Sequence, residues 1–237
     1  MNQDPQLGAS RAVVTASTAM QALDGALHAA ASQTPPPPMP MTDLLAMLEV
    51  TATAAPSSAS GLTSLQPLRD AVFTAAGCDR AMQLLWSEAL VTAAAARQLA
   101  CALQVPAGAA ALAGLLHRIG AARLLVIIAQ TETPALRAHA ALRRQLAAAH
   151  ELALRDALLV AWAVPAASAH AARNWSAASS AAVANKMCQV VYLAQLLKTE
   201  FLYPQFCVPQ MANRVARQFG VTSASLRAAR NAKSDFG

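Results

Sequence analysis

Apolar residues recur every three or four positions along most of the chain, which is the spacing of one face of an α-helix. The clearest stripe lies in residues 79–103, where the apolar positions are Met82, Leu85, Ala89, Ala93 and Ala96. The pattern predicts helices over residues 5–19, 41–50, 65–76, 79–103, 107–117, 121–130, 134–163, 166–174, 178–202 and 224–232. A half-buried strand would instead show strict alternation of apolar and polar residues.

The composition supports the same fold class. Apolar residues make up 56% of the sequence, but aromatic residues only 4%, so Ala and Leu dominate. These two residues favour closely packed helices, whereas sheets are enriched in β-branched and aromatic side chains. We therefore predict an all-α, multi-helix bundle, and 237 residues allow either one large domain or two small ones.

Helix-breaking residues divide the chain into three parts. The Pro35–Pro38 run predicts a stiff extended connector, with a partner-binding polyproline motif as the alternative. We expect residues 1–60 to be a degenerate N-terminal helical segment with a Pro-rich linker or insertion, and residues 61–203 to be the helical core. Residues 204–237 are expected to add C-terminal helices, with a stop at Gly220 and a helix cap at Thr222 or Ser223.

Charge and cysteine content restrict the function weakly. The net charge of +6 would permit a nucleic-acid partner, and basic residues gather near the C-terminus at Arg214, Arg217, Arg227, Arg230 and Lys233. Because no aromatic residues interleave with these cations, a solvated basic face is favoured over a nucleic-acid interface. Four scattered cysteines favour neither a zinc site nor a disulfide framework.

Neither a targeting signal nor a common ligand-binding motif is recognisable in the sequence. The N-terminus has no basic and apolar signal-peptide pattern, and no uninterrupted apolar run of roughly 18 residues is expected, so we predict a cytoplasmic protein without a membrane span. Phosphate-loop, dinucleotide and serine-nucleophile motifs are missing from the sequence, so no cofactor is predicted. His28, His139, His150 and His170 show no mutual metal-ligand spacing.

The segment Leu115-Leu116-His117-Arg118-Ile119-Gly120 is the most informative in the chain. Together with Trp86, Gly114, Trp162 and Pro165, it resembles the HDOD domain, a helical, signalling-associated relative of the HD phosphohydrolases. The resemblance extends over roughly residues 65–202. A weaker match covers Asp4, Pro5, Leu7 and Ser17, with Ala16 where the family has Asn and without the family's preceding helix, so this copy is expected to be shortened.

The resemblance also implies where a metal centre would lie. HD enzymes hold a divalent metal with an upstream His, a His-Asp pair and a downstream Asp, and these positions fall here on Glu88, on His117 with Arg118, and on Gln195. A fixed positive charge at ~5 Å from a divalent ion would repel it by roughly 6 kcal/mol at an effective dielectric constant of ~20. We therefore predict no catalytic metal and no catalytic residue.

Two interpretations of His117 stay open from sequence: a buried histidine bonded to a backbone carbonyl or to Glu88, and a remnant ligand-binding position. For the whole chain, the resemblance implies a non-catalytic regulator in bacterial signal transduction that binds another protein. The alternatives are a residual metal-dependent HD-type phosphohydrolase, a basic nucleic-acid-binding regulator, and a purely structural or decayed copy of the domain. Trp86 and Trp162 are expected to pack in the core, and Asn174 with Trp175 falls about where the family often has paired histidines.

Overall fold

The computed structural model describes residues 5–50, 65–131, 140–176, 185–208 and 210–232, and these are almost entirely helical. The predicted all-α bundle is thereby confirmed. The helices are α1 (Pro5–Ser32), α2 (Met41–Val50), α3 (Gln66–Val72), α4 (Asp79–Leu103), α5 (Ala107–Leu116), α6 (Ile119–Thr131), α7 (Ala140–Ala161), α8 (Ala166–Asn174), α9 (Lys186–Leu202), α10 (Met211–Gln218) and α11 (Ser223–Asn231), with a short 3₁₀ turn at Pro204–Phe206.

The long helix α4 lies at the centre of the bundle. It packs most extensively against α5 and α9 and also contacts α11. Its first half joins a core shared with α2, α3 and α5, and its second half joins a core shared with α5, α9, α10 and α11. Fully buried alanines such as Ala89 and Ala96 leave room for the neighbouring backbones, as the small residues of the predicted stripe require.

Helix α1 is longer than predicted. It does not end at residue 19 but continues to Ser32, because Leu23 and Leu27 lie one turn apart and both are buried against α6 and α7. Helix α2 has its predicted bounds and packs on α5. Residues 51–60 lie outside the described residues.

The proline segment is fastened to the core. The indole Nε1 of Trp162 donates a hydrogen bond of 2.9 Å to the carbonyl oxygen of Pro35, and the Trp162 side chain is otherwise buried. This hydrogen bond holds Pro35 against the core, and the choice between a connector and a partner-binding polyproline motif stays a prediction. The division of the chain at residues 60 and 203 stays a prediction.

Two glycines mark close approaches between helices. A Cβ on Gly114 would lie 2.9 Å from the carbonyl oxygen of Thr92 on α4. A Cβ on Gly120 would overlap the carbonyl oxygen of Glu151 on α7 and would lie 2.8 Å from the Cβ of Arg155. Glycine at these two positions therefore sets the α4–α5 and α6–α7 spacing, and with it the position of the intervening His117.

Other local predictions can be checked directly. Gly220 has a positive φ of 74°, and the Thr222 hydroxyl accepts the Ser225 N–H at 3.1 Å, so Thr222 is the predicted cap. Within residues 107–131, which form α5 and α6, an 18-residue window has a mean hydropathy of 1.7 and is apolar enough by length and composition to cross a membrane, although His117 and Arg118 interrupt the run as predicted. In the fold, 78% of that window is buried inside the protein.

Candidate functional site

Three helices bring a buried polar cluster together at the centre of the bundle. Helix α4 contributes Glu88 and Thr92, one turn apart; α5 ends at His117; and α9 contributes Gln195 and Lys198. All five side chains are buried, with His117 and Thr92 fully excluded from solvent. Three of the positions inferred from the family resemblance, Glu88, His117 and Gln195, therefore belong to one connected cluster.

Hydrogen bonds define the state of His117. Its Nδ1 lies 2.6 Å from the carbonyl oxygen of Gly114, so this nitrogen carries a proton and donates. Its Nε2 is in contact with the amide nitrogen of Gln195, which requires Nε2 to accept. The same Gln195 amide donates to the Thr92 hydroxyl at 3.3 Å, and that hydroxyl donates to the carbonyl of Glu88 at 2.8 Å. His117 is thus the neutral tautomer with both ring nitrogens engaged.

The electrostatic surroundings favour the same neutral state. Burial is the largest cause that lowers the pKa of His117 well below its ordinary value of 6.5, and the nearby cations Lys198, Arg118 and Arg155 lower it further. The hydrogen bond to Gly114 acts in the opposite direction and is outweighed. The backbone-bonded histidine predicted as one alternative is therefore what the fold contains.

Glu88 lies at the other end of the cluster and is held by two groups. Its Oε1 accepts a 2.6 Å hydrogen bond from the hydroxyl of Tyr203, and its Oε2 lies 3.4 Å from the Lys198 ammonium. Burial lowers the pKa of Lys198, while the neighbouring Glu88 carboxylate raises it. Burial and the bond to Glu88 raise the pKa of Tyr203 to about 12. The cluster thus contains a buried ion pair reinforced by a phenol.

Arg118 does not take the role expected from its sequence position. Its guanidinium lies 3.7 Å from the carboxylate of Glu151 on α7, and its side chain is 36% exposed. The cation in contact with the Glu88 carboxylate is Lys198, which is 8% exposed. The positive charge at this centre therefore comes mainly from α9 and not from the residue beside His117.

Comparison with known proteins places this arrangement in a family. Residues 61–178 match the family model of the HDOD domain. This span contains Glu88, His117 and the two glycines that flank His117, Gly114 and Gly120. The chain belongs to the HDOD-domain family. A protein from Shewanella amazonensis SB2B, described as a "Putative metal-dependent phosphohydrolase", has a similar fold with a TM-score of 0.55 and 15% identity. The alignment covers 83% of this chain and 81% of that one. The search of curated proteins found no match.

We call the buried cluster of Glu88, Thr92, His117, Gln195 and Lys198 the HDOD centre. Its side chains do not fit the divalent metal that HD enzymes use. Coordination by His117 would require Nε2 to lose its contact with Gln195. The amide of Gln195 stands where HD enzymes have a carboxylate. Glu88 is the remaining anion at the centre, and it is already paired with Lys198. A divalent ion bound to Glu88 within about 5 Å of that ammonium would be repelled by roughly 6 kcal/mol at an effective dielectric constant of ~20.

The aromatic positions of the HDOD pattern are packing residues. Trp86 lies against Phe73 with ring centroids 5.1 Å apart, and Trp162 and Pro165 flank the turn between α7 and α8. Trp175, found where the family often has paired histidines, lies edge-on to the His117 ring at a centroid distance of 6.0 Å. An indole cannot ligate a metal as imidazole does, so this substitution supplies packing next to His117 and no donor.

Sequence reasoning missed Thr92, Lys198 and Tyr203. Thr92 follows Glu88 by four residues and Lys198 follows Gln195 by three, so helical spacing could have found both once the first residue of each pair was placed. It also missed a histidine pair, since His28 and His150 lie against each other. In the basic tail, Arg230 is bound by Glu200 and Asn213, while Lys233 lies outside the described residues.

Proposed function

We propose that this HDOD-family chain is a non-catalytic regulator that acts in bacterial signal transduction by binding another protein. The observation that carries the proposal is the Lys198–Glu88 ion pair at the centre where HD enzymes hold their metal. The contact between neutral His117 and Gln195 adds to it, because both ring nitrogens are already engaged. No side chain in this cluster is then left free to ligate a metal that would acidify water, or to hold a phosphate. We expect the protein to work in the cytoplasm, without a cofactor.

An exposed apolar segment next to this centre is the surface we assign to the partner. Phe206 and Val208, which follow α9 and Tyr203, are 75% and 60% exposed. Aromatic side chains such as Phe206 are enriched in protein contact sites, and the neighbouring Val208 extends the exposed apolar surface. Because Tyr203 is bonded to Glu88 only a few residues earlier, a protein bound at this segment would contact an element anchored to the HDOD centre.

The test is affinity purification of the tagged protein from its native cell, quantified by mass spectrometry. We expect the wild-type chain to retain a reproducible partner and the Phe206→Ser/Val208→Ser variant to lose at least about tenfold of it, a loss of ~1.4 kcal/mol of binding free energy. Val160→Ser is the matched control, because Val160 is 70% exposed but lies on α7. Equal retention by all three proteins, or no reproducible partner, would contradict the proposal.

A further inference from the structure

A second polar cluster lies away from the HDOD centre, between α1 and α7. Asp24 and His28 are one helical turn apart on α1, and His150 projects from α7. The Nε2 of His150 lies 2.7 Å from Oδ1 of Asp24, and the Nδ1 of His28 lies 3.7 Å from the same oxygen. One ligand atom from each residue falls within 4.8 Å of the others. Two imidazoles and a carboxylate therefore converge from segments 126 positions apart in sequence.

We propose that Asp24, His28 and His150 form a binding site for a transition-metal ion of the zinc class. Two imidazole nitrogens and one carboxylate oxygen are ligands that Zn²⁺ binds in proteins, and three protein ligands leave a further position for solvent. The site is distinct from the central cluster, because none of its three residues bonds to Glu88, Thr92, His117, Gln195 or Lys198 in the contacts described above, and Asp24 and His28 lie on α1. The i, i+4 spacing of Asp24 and His28 was present in the sequence, but its third ligand was not recognisable there.

Small side-chain movements would complete the coordination. Metal–nitrogen and metal–oxygen distances of about 2.0–2.2 Å place tetrahedral ligand atoms roughly 3.4 Å apart. His28 is 70% exposed and Asp24 is 46% exposed, so both can adjust, whereas His150 is 12% exposed and held within the helix interface. The Nδ1 of His28 lies 3.0 Å from the carbonyl oxygen of Asp24. Coordination of the ion by Nδ1 would replace this hydrogen bond, and the exposed side chain of His28 can turn to make that exchange.

The ion would also connect α1 to the core. Helix α1 packs on α6 and α7 through a small apolar cluster that includes Leu23, Leu27 and Leu154, and the three ligands lie beside it. A metal bound by both helices favours the docked arrangement over an undocked one, because binding to the docked state alone stabilises that state in proportion to the ligand's occupancy. We therefore expect metal binding to raise the melting temperature of the protein and to protect α1 from proteolysis.

The experiment is titration of the metal-free full chain with Zn²⁺ by isothermal calorimetry, with thermal unfolding measured in parallel. We expect one equivalent to bind with micromolar affinity and to raise the melting temperature. Asp24→Asn, His28→Ala and His150→Ala should each weaken binding by at least about tenfold and remove the thermal shift. Co²⁺ should give visible bands of a nitrogen- and oxygen-ligated ion without a thiolate charge-transfer band.

A control variant separates this site from another histidine. His170→Ala removes an exposed histidine of α8 that contacts Asn174 and should leave the Zn²⁺ affinity unchanged. The proposal is overturned if no equivalent binds at micromolar concentration. It is equally overturned if His28→Ala and His150→Ala bind Zn²⁺ like the wild type, whichever other residue then proves to be the ligand.

Discussion

Gly120→Ala is expected to destabilise the fold by about 3 kcal/mol or more, a large part of the stability of an ordinary domain. The added methyl group would overlap the carbonyl oxygen of Glu151 and press on the Cβ and amide nitrogen of Arg155. These three atoms are backbone atoms or a Cβ, so no side-chain rotation can move them away from the added methyl group. Helices α6 and α7 would have to separate, which is measured as the free energy of unfolding in urea by far-UV circular dichroism.

Two other glycines provide a graded control for this substitution. Gly114→Ala should cost less, because its Cβ would meet Thr92 and Ala93 backbone atoms at 2.9–3.1 Å. Gly25→Ala should stabilise the protein by roughly 0.5–1 kcal/mol, since Gly25 is an exposed α1 residue with nothing within 4 Å of its Cβ. If Gly120→Ala is as stable as the wild type, the close approach of α6 to α7 is wrong.

Lys198→Met is expected to cost about 3–5 kcal/mol of unfolding free energy at neutral pH, because it leaves the buried Glu88 carboxylate without its counter-charge. The double variant Lys198→Met/Glu88→Gln should recover most of that loss. The glutamine oxygen can still accept the hydrogen bond of Tyr203, and no unpaired charge remains buried. The measurement is a double-mutant cycle in urea, in which we expect a coupling energy above about 1 kcal/mol.

Arg230→Met is the control for removal of a cation from a carboxylate. Arg230 binds Glu200 through two nitrogens, but its side chain is 32% exposed, so its loss should cost about 1 kcal/mol or less. Equal costs for Lys198→Met and Arg230→Met, or additive effects of Lys198→Met and Glu88→Gln, would mean that the Lys198–Glu88 pair is not a buried, coupled unit.

Local sequence signals predicted the helices well where neighbouring residues determine them. The end of α4 follows from the Val105-Pro106 stop and the start of α8 follows from Pro165, and the structure places both helices at their predicted bounds. The predicted end of α1 was wrong because the true end depends on residues that are distant in sequence. Leu23 and Leu27 are buried by Leu124, Ile127 and Leu154, and the sequence around α1 does not indicate that contact.

For the candidate site, the sequence predicted which positions take part but not which side chains contact each other. Family resemblance placed Glu88, His117 and Gln195, and the fold joins them into one cluster. It could not show that Arg118 points to Glu151 while Lys198 reaches Glu88, because side-chain direction depends on how α4, α7 and α9 pack. The pairing of His28 with His150 was unpredictable for the same reason, since it needs the docking of α1 on α7.

If an internal ion pair and a neutral histidine network replace the metal of an HD-type centre, the protein should neither retain a divalent ion at His117 nor hydrolyse a phosphodiester. The Asp24→Asn/His28→Ala/His150→Ala variant, which removes the second proposed site, is incubated with Mn²⁺ or Fe²⁺ and then desalted. Its bound metal and its hydrolysis of bis(p-nitrophenyl) phosphate are measured. We expect no stoichiometric metal and a rate equal to that without protein. One retained equivalent of metal with measurable hydrolysis, both lost on adding His117→Ala, would contradict this expectation.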